Sequence, residues 1–168
     1  MKLLTPDLYV ESVLHLDLGK LKEMNIKGLI IDIDNTLVAW DIKYASDKAK
    51  EWLLKLKKEG FEVCLVSNNT EDRVVTFNEE LKLPAIHRAT KPRRGPFRKA
   101  MEVMGTTINN TAVIGDQIFT DVLGGNRMGL LTVLVVPIES KEFWWTTFVR
   151  KIERYVLRIV LKDHRGTK

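Results

Sequence analysis

Cysteine is almost absent from this 168-residue chain, and long apolar runs and repeats are missing altogether. The single Cys64 cannot form an internal disulfide, and its setting in Phe61-Glu62-Val63-Cys64-Leu65-Val66 predicts a small buried hydrophobe in a reducing compartment. No stretch approaches the ~18 apolar residues of a membrane-crossing helix, and Pro6 and Asp7 interrupt the start before a signal-peptide core develops. A cytoplasmic protein, neither secreted nor integral to a membrane, is therefore expected. His15 has no cysteine or second histidine at metal-ligand spacing, which argues against a zinc site there. With 45% hydrophobic and 29% charged residues, the chain has the composition of one ordinary folded domain.

Net charge is also absent from most of the molecule. Residues 1–140 contain 19 Lys+Arg and 19 Asp+Glu, whereas 141–168 contain 8 and 3, so the whole excess of +5 lies in the tail.

What is present is alternation. Short apolar runs at 28–33, 61–66, 84–88, 111–115 and 131–136 are separated by helix-patterned stretches at 45–59, 70–81, 95–104 and 118–128. This is the pattern of βαβ units and predicts an α/β domain with a parallel sheet. Residues 8–26 read as a mainly helical lead-in. Trp52, Leu53 and Leu56 fall at helical spacing among lysines, with Gly60 as the stop.

Open α/β sheets hold ligands at the carboxyl ends of their strands, and the polar clusters of this chain fall there. Asp32-Ile33-Asp34-Asn35-Thr36 follows the first run, Ser67-Asn68-Asn69-Thr70 the second, Lys91-Pro92-Arg93-Arg94-Gly95 the third, and Gly115-Asp116-Gln117 with Asp121 the fourth. Phosphoryl transfer needs a nucleophile, a proton donor, a cation to offset phosphate charge and donors for its oxygens. One carboxylate of the Asp32/Asp34 pair can attack phosphorus while the other protonates the departing alkoxide. Asp116 can complete an oxygen-rich Mg²⁺ site, with Asp121 in or near its outer shell. Ser67 offers a hydroxyl and Lys91 a positive charge. Thr36 and Asn35 can donate backbone N–H groups in the turn; the alternative is that their side chains serve only to hold it. Arg93 and Arg94 can bind a second substrate phosphate or simply be solvated.

These segments, DIDNT, the Ser of LVSNN, the Lys of KPRRGPF, and GDQIFTD, strongly resemble the four motifs of the haloacid dehalogenase (HAD) superfamily over residues 26–137. The resemblance implies a Rossmann-like, HAD-like three-layer sandwich, with Asp32 as nucleophile and Asp34 as general acid/base. It further implies Ser67, with Asn68, and Lys91 as phosphate ligands, and Asp32, Asp116 and the Asp34 main-chain carbonyl as metal ligands. The DxDxT form is similar to phosphatases more than to dehalogenases.

Only 34 residues separate Asp32 from Ser67 and 23 separate Ser67 from Lys91, which leaves no room for a sizeable cap domain. An uncapped site suits a macromolecule or a lipid at a bilayer. In the tail, residues 145, 148, 149, 152, 156, 159 and 160 share one helical face, and Arg150, Arg154 and Arg158 form a basic row. A basic amphipathic helix over 141–168, touching anionic lipid through 143–165, is one reading; a helix packed on the sheet is the other. The opening PDLYVESVLHLD and the phrase IKGLIIDIDNTLV resemble the subfamily IIIA, YqeG-type branch, whose eukaryotic relatives dephosphorylate phosphatidylglycerophosphate. That resemblance implies an anionic phospholipid substrate and a peripheral position on the inner membrane face. A soluble phosphatase of sugar phosphates, nucleotides or phosphoproteins is the rival enzyme reading. Binding of RNA or a ribosomal particle through the tail is the non-enzymatic one.

Overall fold

The computed structural model describes residues 2–139, so the basic helix expected over 141–168 lies outside the described residues. The ordered elements are β1 (Leu8–Val10), α1 (Leu18–Glu23), β2 (Gly28–Ile31), α2 (Asp47–Lys58), β3 (Glu62–Val66), α3 (Glu71–Asn78), β4 (Ala85–Ile86), α4 (Arg94–Met104), β5 (Thr111–Gly115), α5 (Leu123–Met128) and β6 (Leu131–Val135). A single π-helical turn, Ile118–Val122, leads directly into α5. All six strands are parallel, in the order β1-β6-β5-β2-β3-β4.

Apart from Glu62 and Thr111 at their starts, the central strands are apolar, because helices cover both faces. Period two then sorts their side chains: Leu29, Ile31, Val63, Leu65, Ala112 and Ile114 join one core, with Trp52, Leu53, Leu56, Val74 and Phe77 of α2 and α3. Ile30, Cys64, Val66 and Val113 face the other, against Phe97, Ala100, Met101 and Met104 of α4. The result is the parallel α/β domain that the alternation predicts, layered as the three-layer sandwich that the family resemblance implies. Cys64 is fully buried, and burial pushes its thiol up to about 12.

Local signals explain the element ends. Ser46 caps α2 by accepting from the Ala49 N–H at 3.2 Å, and Thr70 caps α3 by accepting from the Arg73 N–H at 3.4 Å. Gly105, at φ +65°, ends α4 in the left-handed region that suits glycine.

The lead-in departs from expectation. Helix is confined there to α1 and to 3₁₀ turns at Lys2–Leu4 and Val13–His15, while Leu8–Val10 forms an edge strand on β6. The pairing is fixed by Asp7, whose carboxylate accepts from the Thr132 N–H at 2.8 Å and from its hydroxyl at 3.0 Å.

After β2 the chain builds β3 and β4 on one side, then returns to build β5 and β6 on the other. The crevice between β2 and β5 is thus the switch point at which such sheets bind ligands, and Asp32 and Asp116 stand on its two sides.

Candidate active site

β2 ends at Ile31, and the Asp32 N–H still donates to the Ile114 carbonyl at 3.0 Å, which seats Asp32 beside the end of β5. Asn35 then takes φ +60°, a conformation that asparagine tolerates better than most residues. Its N–H closes the turn on the Val38 carbonyl at 2.7 Å, and its own carbonyl accepts from the Ile138 N–H at 3.1 Å. This sharp turn gives two carboxylates one residue apart entirely different neighbours.

Asp32 faces inward. Lys91 Nζ lies 2.8 Å from Asp32 Oδ1 and 2.7 Å from Asp121 Oδ1, with the lysine side chain only 3% exposed. Asp32, Asp116 and Asp121, all buried, place oxygens within 4.8 Å of one another, and Thr36 Oγ1 donates to Asp116 Oδ1 at 3.3 Å. The π turn carries Asp121 back over Gly115, where any Cβ would overlap its carboxyl group. Asp121 Oδ2 also accepts from the Gln117 N–H at 3.3 Å.

The electrostatics of this cluster are unbalanced. With all three carboxylates ionised, the cluster and the Lys91 ammonium would carry a net −2 in a buried space, the charge that one divalent cation neutralises. Burial raises Asp32 from the usual carboxylate range to about 7, with Asp121 and Asp34 adding to the rise and Lys91 opposing it. Burial alone would lower Lys91, but Asp121 and Asp32 overcome it and hold the lysine above its ordinary value, firmly charged. Hard carboxylate oxygens with excess negative charge fit Mg²⁺.

Asp34 faces the α3 side. Its Oδ1 accepts from Arg73 Nε at 3.1 Å and Nη2 at 2.8 Å, and its Oδ2 from Asn69 Nδ2 at 3.2 Å. Arg73 continues to the Lys43 carbonyl through Nη1 at 2.8 Å. The fold therefore brings Asp32, Thr36, Lys91, Asp116 and Asp121 into one cluster and holds the Asp34 carboxylate in a second.

The remaining expected residues divide. Ser67 is buried at the end of β3, where its Oγ accepts from the Asn69 N–H at 3.1 Å. Asn68 grips the main chain of Lys91, accepting from its N–H at 2.7 Å and donating to its carbonyl at 3.2 Å. Its side chain is thus committed to placing the lysine. Arg93 and Arg94 are exposed where α4 begins. Arg73 and Asn69 were not anticipated. The one available hint is that Arg73 is the sole basic residue between Lys58 and Lys82, in a stretch otherwise rich in acids.

Comparison with known proteins places this fold in a family. Residues 29–89 match the family model described as haloacid dehalogenase-like hydrolase, and 88–137 match the one described as HAD-hydrolase-like. Over 156 residues the chain is 46% identical to Probable phosphatase YqeG of Bacillus subtilis, covering 93% of this chain and 91% of that protein. The chain belongs to the HAD-like phosphatases. More distant relatives are phosphatidylglycerophosphate phosphatase 1 of Arabidopsis thaliana, 25% identical over 91% of this chain, and that of Chlamydomonas reinhardtii, 28% identical over 89%. The chain spans 47% and 60% of the lengths of those two proteins. Among solved structures, the cobalt-bound deoxy-D-mannose-octulosonate 8-phosphate phosphatase of Haemophilus influenzae superposes with a TM-score of 0.54. At 17% identity, with 88% of this chain and 96% of that one covered, it speaks for the fold alone. An uncharacterized protein of Listeria monocytogenes, at TM-score 0.55 and 16% identity over 70% of this chain and 85% of that one, does the same.

Proposed function

We propose that this HAD phosphatase is Mg²⁺-dependent, works through an aspartyl-phosphate on Asp32, and removes the terminal phosphate of phosphatidylglycerophosphate at a membrane surface. The observation that carries the chemistry is the buried Asp32–Lys91–Asp121 cluster at the strand switch point, with Asp34 beside it on separate partners.

In the first half-reaction an Asp32 oxygen bonds to phosphorus as the bond to the leaving oxygen breaks, and that oxygen takes a proton from the Asp34 carboxyl. In the second, Asp34 takes a proton from water as the water oxygen bonds to phosphorus and the bond to Asp32 breaks. Inorganic phosphate leaves, Asp32 is again a carboxylate and Asp34 again an acid. Lys91 and Ser67 hold the phosphoryl oxygens, and Asp121 holds Lys91. A Mg²⁺ held by Asp32, Asp116 and the Asp34 main-chain carbonyl would offset the charge of the phosphoryl group.

The lipid reading draws support from three directions. Segments short enough to leave no sizeable cap separate the catalytic strands, so a substrate anchored in a bilayer can reach the rim. The loop after the catalytic turn exposes Trp40, Ile42 and Tyr44 at 41%, 47% and 57%, side chains suited to a lipid interface. The plant and algal relatives carry the corresponding name. The contact in this reading is peripheral, through this loop and residues 143–165; among the described residues no helix is long and apolar enough to cross a membrane.

Phosphate release from phosphatidylglycerophosphate in anionic vesicles, set against a panel of soluble phosphomonoesters with Mg²⁺ or EDTA, tests the proposal. The lipid should be hydrolysed with the highest kcat/KM and only with metal. Equal or better turnover of a sugar phosphate or nucleotide would overturn the substrate, and full activity in EDTA would overturn the metal.

A further inference from the structure

The Asp34 carboxylate is held by two side chains, Arg73 of α3 and Asn69 of the loop before it. Arg73 sends Nε and Nη2 to one oxygen of Asp34, at 3.1 and 2.8 Å, and Nη1 to the Lys43 carbonyl at 2.8 Å. Its guanidinium lies 5.8 Å from the ring centroid of Phe77, a fully buried residue one turn further along α3. The backbone of Arg73 is fixed as well, since its N–H donates to the capping Thr70. Asn69 takes the other oxygen of Asp34 and is itself tied to Ser67, its N–H donating to the serine Oγ. The side chains of Arg73 and Asp34 are 11% and 20% exposed, so this contact is shielded from water far more than a surface ion pair.

We infer that Arg73 is a positioning residue for Asp34, aiming the carboxyl group at the leaving oxygen. The inference rests on the general acid/base role of Asp34 proposed above. A proton donor serves a leaving group only from the right place, and a misplacement of about 1 Å can lower a rate roughly a hundredfold. A planar guanidinium that grips Asp34 with two N–H groups and the 39–46 loop with a third fixes both the position and the rotation of the carboxyl group. Lysine cannot replace it, because one ammonium can reach Asp34 but does not span to the Lys43 carbonyl in the same fork. The ring of Phe77 backs the guanidinium, so the fork stays aligned while substrate comes and goes.

The test uses kcat/KM, which ends at departure of the leaving group, for an alkyl phosphomonoester and for p-nitrophenyl phosphate, whose leaving group departs without help from an acid. Asp34→Asn should lower the alkyl-to-aryl ratio of kcat/KM by about 100-fold or more. Arg73→Ala should lower the same ratio by roughly 10- to 100-fold, and the double variant should be no worse than Asp34→Asn alone. If Arg73→Ala does not fold, as judged by its melting curve, Arg73→Lys is read in its place with the same expected fall. Equal losses on both esters, an unchanged ratio, or additive losses in the double variant would overturn the positioning role while Asp34 kept its own. A rise in KM confined to substrates with a second phosphate group would overturn it in favour of substrate binding. An unchanged ratio in Asp34→Asn would remove the acid/base reading and this inference with it.

Discussion

Asp32 and Asp34 are the same residue type, one position apart, and the rim treats them as opposites. Asp32 belongs to the α4/α5 side, buried against a lysine that it shares with Asp121 and charged only at a high electrostatic cost. Asp34 belongs to the α3 side, its side chain 20% exposed and held by Arg73 and Asn69. In the proposed mechanism environment, not residue type, divides the labour: the inner carboxylate would attack phosphorus beside Lys91 and Ser67, and the outer one would serve the leaving group and water.

Several substitutions can break this contrast. The largest effect is expected for Asp32→Asn, which should lower phosphatase activity about a thousandfold or more while the protein still folds, because the proposed mechanism gives the attack on phosphorus to Asp32. Lys91→Met should follow closely. It leaves two buried carboxylates facing each other, and a loss of about 3–5 kcal/mol in a denaturant titration is expected. Gly115→Ala would force the Asp121 carboxyl to move, for about 1–3 kcal/mol of overpacking and a measurable fall in kcat as Lys91 loses its partner. Asn68→Ala is the mildest. It removes two hydrogen bonds to the Lys91 main chain and should cost roughly 1–2 kcal/mol, with kcat affected more than melting temperature.

The pH dependence of the metal-free protein sharpens the same contrast. Burial raises Asp32 to about 7 when folded, above its unfolded value, so the folded state retains a proton that the unfolded state has lost. This term therefore favours folding at low pH and is withdrawn as pH rises from about 4 to about 7. Thermal melts in EDTA across that window should show the decline, Mg²⁺ should flatten it, and Asp32→Asn should remove it.

Much of this could be read from the chain itself because central parallel strands are apolar on both faces, which gives runs such as Gly28–Ile31 and Thr111–Gly115 an unmistakable pattern. β1 was not legible. Three residues, Leu8-Tyr9-Val10, are too few to establish period two, and their pairing depends on Asp7 reaching Thr132, 125 residues away. Asp32 and Asp116 were legible since each follows a strand directly. Asp121 could not be told from a helix cap until the π turn brought it back over Gly115. The hold of Arg73 on Asp34, and the grip of the expected Asn68 on the Lys91 main chain, stayed hidden for a different reason. Their roles are set by where their N–H and C=O partners lie in space, 39 and 23 positions away, and no local pattern encodes that.

The division between the two carboxylates is tested most directly by acid-quenching Asp34→Asn during turnover of ³²P-labelled p-nitrophenyl phosphate and locating the label by peptide mapping. Label accumulating on the peptide that carries Asp32, and lost in the Asp32→Asn/Asp34→Asn double variant, is the predicted result. No trapped phosphate, or label on any other residue, would contradict it.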